Sequence, residues 1–140
     1  MASIRQICSK DYRLDQIEAW SAFQYNYERW ASSIKTDHVL VVELDHRVEG
    51  FCHAVIHDDR VSEINGLYLS PKVAGRGFGR KLVAAALEHL KNQGSKRVVI
   101  KATKTAVGFY RNIGFTPSGL EQFHEIRAAK IECFPMEFTL

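Results

Sequence analysis

The sequence has no apolar run near the roughly 20 residues that span a bilayer, and Met1–Asp11 lacks the apolar core of a signal peptide. Cysteine is scarce: Cys8, Cys52 and Cys133 form neither a CxxC pair nor an even set. That excludes a disulfide framework and a cysteine-rich zinc site, and points to a reducing, cytoplasmic compartment. Only three prolines interrupt the 140 residues, and no linker, low-complexity tract or repeat is visible. A strong charge bias is missing too. The net charge of +3 is too mild to direct the chain to nucleic acid, and no strand interleaves aromatic with basic residues as RNA binders do. Collagen-like, disordered, membrane and zinc-finger classes are thereby excluded. A chain of this length buries roughly two thirds of its unfolded surface without a staple and has room for one domain, 1–140. Function has to come from a local site.

The first third reads as helical. Ile17, Trp20, Ala22 and Phe23 recur at helical spacing after a capping Asp11, and Tyr27, Trp30 and Ile34 extend a second pattern to Thr36 and Asp37. From His38 the pattern turns to β. Val39–Val42, Val48–Ile56 and Val61–Leu69 are strands separated by Asp45-His46-Arg47 and Asp58-Asp59-Arg60, and Pro71 ends the third. Tight turns make these an antiparallel meander. Leu82, Val83, Ala86, Leu87 and Leu90 then form the apolar stripe of a helix that stops at Gly94. Lys96–Ala102 is a strand, Ala106–Asn112 a short helix closed by Gly114, and Gln122–Leu140 holds two closing strands. The order predicts an α+β fold with a mixed sheet.

The sharpest local feature is Ala74-Gly75-Arg76-Gly77-Phe78-Gly79-Arg80, between a strand and a helix. Alternate glycines let backbone amides approach a ligand, and the helix amino end carries about half a positive charge. Lys72, Arg76, Arg80 and Lys81 add positive side chains, so the segment is a cradle for a phosphate or pyrophosphate. The dinucleotide fingerprint GxGxxG needs glycine where Arg80 stands, and the P-loop needs Ser or Thr after its lysine, where Leu82 follows Lys81.

The stretch Tyr68–Gly79 resembles the acyl-coenzyme A pyrophosphate loop of the GNAT acetyltransferases. Ala106-Val107-Gly108-Phe109-Tyr110-Arg111-Asn112-Ile113-Gly114-Phe115 resembles that family's late A-x-x-F-Y-x-x-x-G-F signature, one helix and one strand downstream. Asp11-Tyr12, Gln16-Ile17 and Ala19-Trp20 are similar to the first helix of one bacterial branch, and Pro135-Met136 to the common last strand. The resemblance implies a mixed, mostly antiparallel central sheet flanked by helices, and transfer of an acetyl group from acetyl-CoA to a primary amine by direct attack in a ternary complex. A non-catalytic acyl-CoA sensor or interaction module is the alternative. Acetyl-CoA and an unidentified amine acceptor are the implied partners, with no metal, nucleic acid or membrane. Exposed sheet edges are compatible with a homodimer.

The resemblance also assigns roles. A bulge in the strand before the loop exposes backbone amides to the thioester carbonyl, a role for Leu67 or Leu69, with Tyr68 between them. Ala74, Gly75, Arg76, Gly77, Phe78, Gly79 and Arg80 hold the pyrophosphate. Tyr110 is the general acid for the departing thiolate, since a phenol with a pKa near 10 stays protonated at neutral pH. Glu63, eleven residues before Ala74, is the base, and Asn65 on the same side orients water or substrate. Two positions depart from the pattern: Ala74 stands for Gln or Arg, and Thr105 for an asparagine that contacts the pantetheine arm. The strand that ordinarily precedes the first helix has no residues here.

Outside the motifs, His53 and His57 share one strand face beside Asp58-Asp59 and read as solvated histidines rather than metal ligands. Cys52 points to the core. Trp20, Tyr25, Tyr27 and Trp30 read as core and edge packing, or as a wall of the acceptor pocket that could meet an ammonium group.

Overall fold

The computed structural model describes residues 2–21, 27–57, 60–126 and 128–140. Ala22, Phe23, Tyr25 and the Asp58-Asp59 turn lie outside the described residues. The chain divides into two compact units: a central one, Asn26–Val99 with Phe138–Leu140, and a terminal one, Met1–Tyr25 with Ile100–Glu137.

The central unit holds α3 (Tyr27–Thr36), β1 (His38–Leu44), β2 (Arg47–Ile56), β3 (Val61–Leu69), α4 (Phe78–Asn92) and the start of β4 (Arg97–Thr103). β1, β2 and β3 lie side by side as the expected antiparallel meander, followed by β4. Asp45 and His46 both take positive φ, 50° and 59°, the conformation of a two-residue hairpin turn. α4 packs on β1, β2 and β3 through its expected stripe, with Val83, Ala86 and Leu90 fully buried. Beneath it lie Cys52, Ala54, Ile64 and Val98, so Cys52 does face the core. Burial pushes its thiol up to about 12. Gly94, at φ 89°, ends the helix. α3 departs from its pattern: it buries no residue, and Tyr27 and Ile34 are exposed. Its contact is Trp30, edge-on against Phe51 at 5.2 Å between ring centroids.

The terminal unit holds α1 (Ala2–Ile7), a 3-10 turn at Cys8–Lys10, α2 (Leu14–Ser21), the end of β4, α5 (Val107–Ile113), β5 (Thr116–Pro117), β6 (Gln122–Ile126) and most of β7 (Ala129–Thr139). β7 follows β4 and pairs antiparallel with both β5 and β6. Among the described residues no strand precedes β1. Asp11 does not cap the helix as expected. α2 begins at Leu14, and the Gln16 side chain reaches back to accept the Arg13 N–H at 2.9 Å, half of a capping box. Gln16 is itself buried and donates to the Lys130 carbonyl at 2.6 Å. Tyr12 pins the segment: its hydroxyl donates to the Glu132 carbonyl at 2.9 Å and accepts the Lys104 N–H at 2.6 Å. Its pKa is pushed up to about 12, chiefly by burial.

Two measurements test this packing. A Cβ on Gly50 would stand 2.7 Å from Leu69 Cδ2 and 2.8 Å from the Tyr68 carbonyl oxygen. Gly50→Ala should therefore lower the unfolding free energy by about 1–3 kcal/mol in urea titration. His38 stacks on His89 with ring centroids 3.6 Å apart, and its buried Nε2 has no partner among the described residues. Burial, then the neighbouring His89, lowers its pKa from 6.5. The unfolded state therefore takes up this proton first as the pH falls. The neutral ring's contribution is complete above pH 6.5 and is lost through the lowered folded value. His38→Phe keeps a flat ring there without the proton, so it should lose less stability than wild type between pH 7.5 and 5.

Candidate active site

In the central unit the segment from β3 to α4 is seated by one residue of β2. Opposite β1, Val42 pairs with Gly50 and Glu43 with Val48, so Glu49 is an extra, bulged residue. Its carbonyl accepts the Ser70 N–H at 2.7 Å, and its carboxylate accepts the Ser70 hydroxyl at 2.5 Å and the Lys72 ammonium at 3.2 Å. Ser70 first, then Lys72, hold the Glu49 carboxyl below the usual carboxylate range. The Ser70 carbonyl in turn accepts the amides of Val73 and Ala74, closing the turn that leads into the glycines.

Gly75 and Gly77 both take left-handed backbone, φ 73° and 83°, and a Cβ on either would meet nothing within 4 Å. The space before both is open. Gly77 precedes the 15-residue α4 and, having no side chain, offers no cap to its first turn. That amino end fits an anion such as a pyrophosphate. Lys72 is spent on Glu49, Arg76 donates to the Lys72 carbonyl at 3.2 Å, and Arg76 and Lys81 both lie over the Phe78 ring.

The expected bulge in β3 exists, at Asn65: His53 pairs with Gly66 and Ala54 with Ile64. It lies two residues before Leu67, and Leu67, Tyr68 and Leu69 beyond it are all half-buried. Asn65 itself is exposed. Ser62 and Ile64 are buried, so Glu63 stands on the other face, where its carboxylate meets His57 Nε2 at 2.9 Å. On that face His53 Nε2 meets Asp37 at 2.8 Å, and this contact leads the causes that lower the Asp37 pKa. The two histidines expected to be merely solvated thus belong to separate carboxylate pairs. Among the described residues no three metal-ligating side chains group together.

In the terminal unit Tyr110 is buried, its ring edge-on to Phe109 and to Phe115, with centroids 5.1 and 5.4 Å away. Thr105 does not present a free hydroxyl, because its Oγ1 donates to Asp11 Oδ2 at 2.8 Å. A cleft of about 370 Å³ opens between the start of α2 and the β6–β7 hairpin, lined by Arg13, Asp15, Gln16, Phe123, Lys130 and Glu132. Trp20 packs edge-on against Tyr12, whereas Tyr27 in the central unit is exposed. Glu49, Asp37 and Gln16 carry no motif, and their roles follow from partners 16 to 114 residues away. A lone acidic residue before Gly50 was the one available signal for Glu49.

Comparison with known proteins bears on the whole chain. The model of the acetyltransferase (GNAT) domain matches residues 8–140. A mycothiol acetyltransferase from Thermomonospora curvata is 27% identical over 62% of this chain and 30% of its own length. An uncharacterised N-acetyltransferase from Methanocaldococcus jannaschii is 30% identical over 64% of this chain and 43% of its own. The chain thus spans less than half the length of these relatives. Among solved structures, a GCN5-related N-acetyltransferase from Rhodopseudomonas palustris superposes with a TM-score of 0.86 at 23% identity, over 99% of this chain and 84% of that one. The PaiA N-acetyltransferase from Thermoplasma acidophilum, solved with coenzyme A, gives 0.80 at 22% identity, over 99% and 87%. These structures share the fold of a mostly antiparallel sheet flanked by helices, and with the family model matching almost the full length, the chain belongs to the GNAT acetyltransferase domain family.

Proposed function

We propose that the chain is an acetyl-CoA-dependent N-acetyltransferase acting on a primary amine, with the match over 8–140 read as one catalytic domain. The observation that carries it is the open pair of left-handed glycines, Gly75 and Gly77, before the uncapped amino end of α4. The coenzyme pyrophosphate sits on the amides of Gly75 and of Gly77 to Arg80, whereas the amides of Ala74 and Arg76, expected to join them, are held by the Ser70 and Val73 carbonyls. The amine nitrogen attacks the thioester carbonyl carbon and the carbon–sulfur bond breaks. The amide of Leu67 or Leu69 stabilises the oxyanion, Tyr110 gives its phenolic proton to the thiolate, and Glu63 takes the proton from the amine. The contact with His57 supports Glu63 in that role by holding its carboxylate on one rotamer. Buried free thiols at Cys8, Cys52 and Cys133 support a reducing, cytoplasmic setting.

A second reading, coenzyme binding without transfer, draws support from Tyr110, whose ring is buried against Phe109 and Phe115 as a core aromatic would be. Two measurements test them: the first the coenzyme binding that both require, the second the transfer that separates them. Thermal melting with acetyl-CoA, CoA and NADH should give a saturable rise of several degrees with both CoA species and none with NADH. A ligand at a hundredfold its Kd adds about 2.7 kcal/mol. Release of the coenzyme thiol on an amine panel should then show turnover, and Tyr110→Phe should lower kcat on the order of a hundredfold with the CoA Kd unchanged. Binding without thiol release on any amine would favour the second reading.

A further inference from the structure

We propose that Glu49 is the positioning residue of the glycine loop, acting through Ser70; the inference rests on the coenzyme reading of that loop. Three features converge on it. First, Glu49 is the extra residue of the β1–β2 ladder, and a bulge re-aims the side chain it carries. Second, it holds Ser70 twice, by its carbonyl at 2.7 Å and by its carboxylate at 2.5 Å. A residue fixed through both its N–H and its hydroxyl has no freedom to rotate, and its carbonyl, accepting from Val73 and Ala74, passes that orientation to Gly75. Third, the Glu49 side chain is only 11% exposed, and Lys72 stands 3.2 Å away. An uncompensated carboxylate beside an anion cradle would repel its ligand. Lys72 cancels that charge, so the carboxylate serves as a fixed acceptor without a field opposed to phosphate.

Gly50 completes the seat. The absence of a side chain there lets Leu69 and the Tyr68 carbonyl lie against β2, so the last residues of β3 and the first of the loop rest on one pair of β2 residues. Glu49 contacts the loop scaffold rather than the ligand, so its effect falls on coenzyme affinity.

The test is calorimetric titration of CoA into wild type, Glu49→Ala, Ser70→Ala, Ser70→Thr and the double Ala variant. Glu49→Ala and Ser70→Ala should each raise Kd about tenfold, as for a lost hydrogen bond to a charged group. The double variant should be no weaker than the poorer single, because the Ser70 hydroxyl's bond to Glu49 is already lost in each. Ser70→Thr keeps the hydroxyl and should stay within about twofold of wild type. Wild-type affinity in Glu49→Ala and Ser70→Ala overturns the inference, and so does a multiplicative loss in the double variant. Should Glu49→Ala fail to fold, the Ser70→Ala and Ser70→Thr pair decides alone. If wild type itself binds no CoA, the coenzyme reading falls. Amide hydrogen exchange at Gly75–Gly79 then tests the seat: faster exchange in Ser70→Ala supports it, and an unchanged rate overturns it.

Discussion

Two strands of the central unit each carry one residue more than their partner, and the geometry of the loop depends on where those residues fall. Glu49 is extra in β2 against β1, and Asn65 is extra in β3 against β2. Because strand side chains alternate, one inserted residue reverses which face the following residues occupy. Before Asn65 the pattern is strict, with Ser62 and Ile64 in the core and Glu63 opposite. After it Gly66 through Leu69 are all half-buried, and β3 runs on against Gly50 to the turn at Ser70. Remove either bulge and the strand end, the turn and the start of α4 would leave their present register.

One of the loop's four basic side chains is paired with a carboxylate. Four basic residues cluster in the sequence between Lys72 and Lys81. In the fold Lys72 neutralises Glu49, and Arg76 and Lys81 lie against Phe78, with Arg76 also bound to a carbonyl. Arg76 and Lys81 keep their charges in those contacts, and backbone amides at the α4 amino end add to the positive potential offered to an anion. Such donors keep their orientation without any side-chain entropy to lose, and the left-handed glycines leave space in front of them.

The terminal unit is held by polar contacts made at long sequence range. Tyr12 joins β7 to the residue after β4, Gln16 reaches the backbone of β7, and Asp11 takes the Thr105 hydroxyl. Tyr12 and Gln16 are buried, where an unmade hydrogen bond would cost about 1–3 kcal/mol, so their satisfaction specifies how α2 lies against the strand. Apolar burial alone, from Ile17, Ile131 and Cys133, has no such directionality.

The sequence by itself determined the elements and the loop. Val61–Leu69 stands as the third strand, the stripe from Leu82 to Leu90 as the buried face of α4, and Gly94 and Gly114 as helix stops, because period and left-handed backbone are local properties. The glycines of the cradle were legible for the same reason. Asp11 misled because α2 starts three residues later, at Leu14, where Gln16 reaches back to accept the Arg13 N–H. What only the tertiary structure decided is who partners whom: Glu49 with Ser70, Asp37 with His53, Glu63 with His57, Thr105 with Asp11. The pairings of Glu49 and Glu63 depend on strand register and on bulges of a single residue, and those of Asp37 and Asp11 on how their loops meet residues 16 and 94 positions away. Neither register nor meeting loops leave a periodic trace in the chain, since each is settled by which distant residues the fold brings within hydrogen-bond reach.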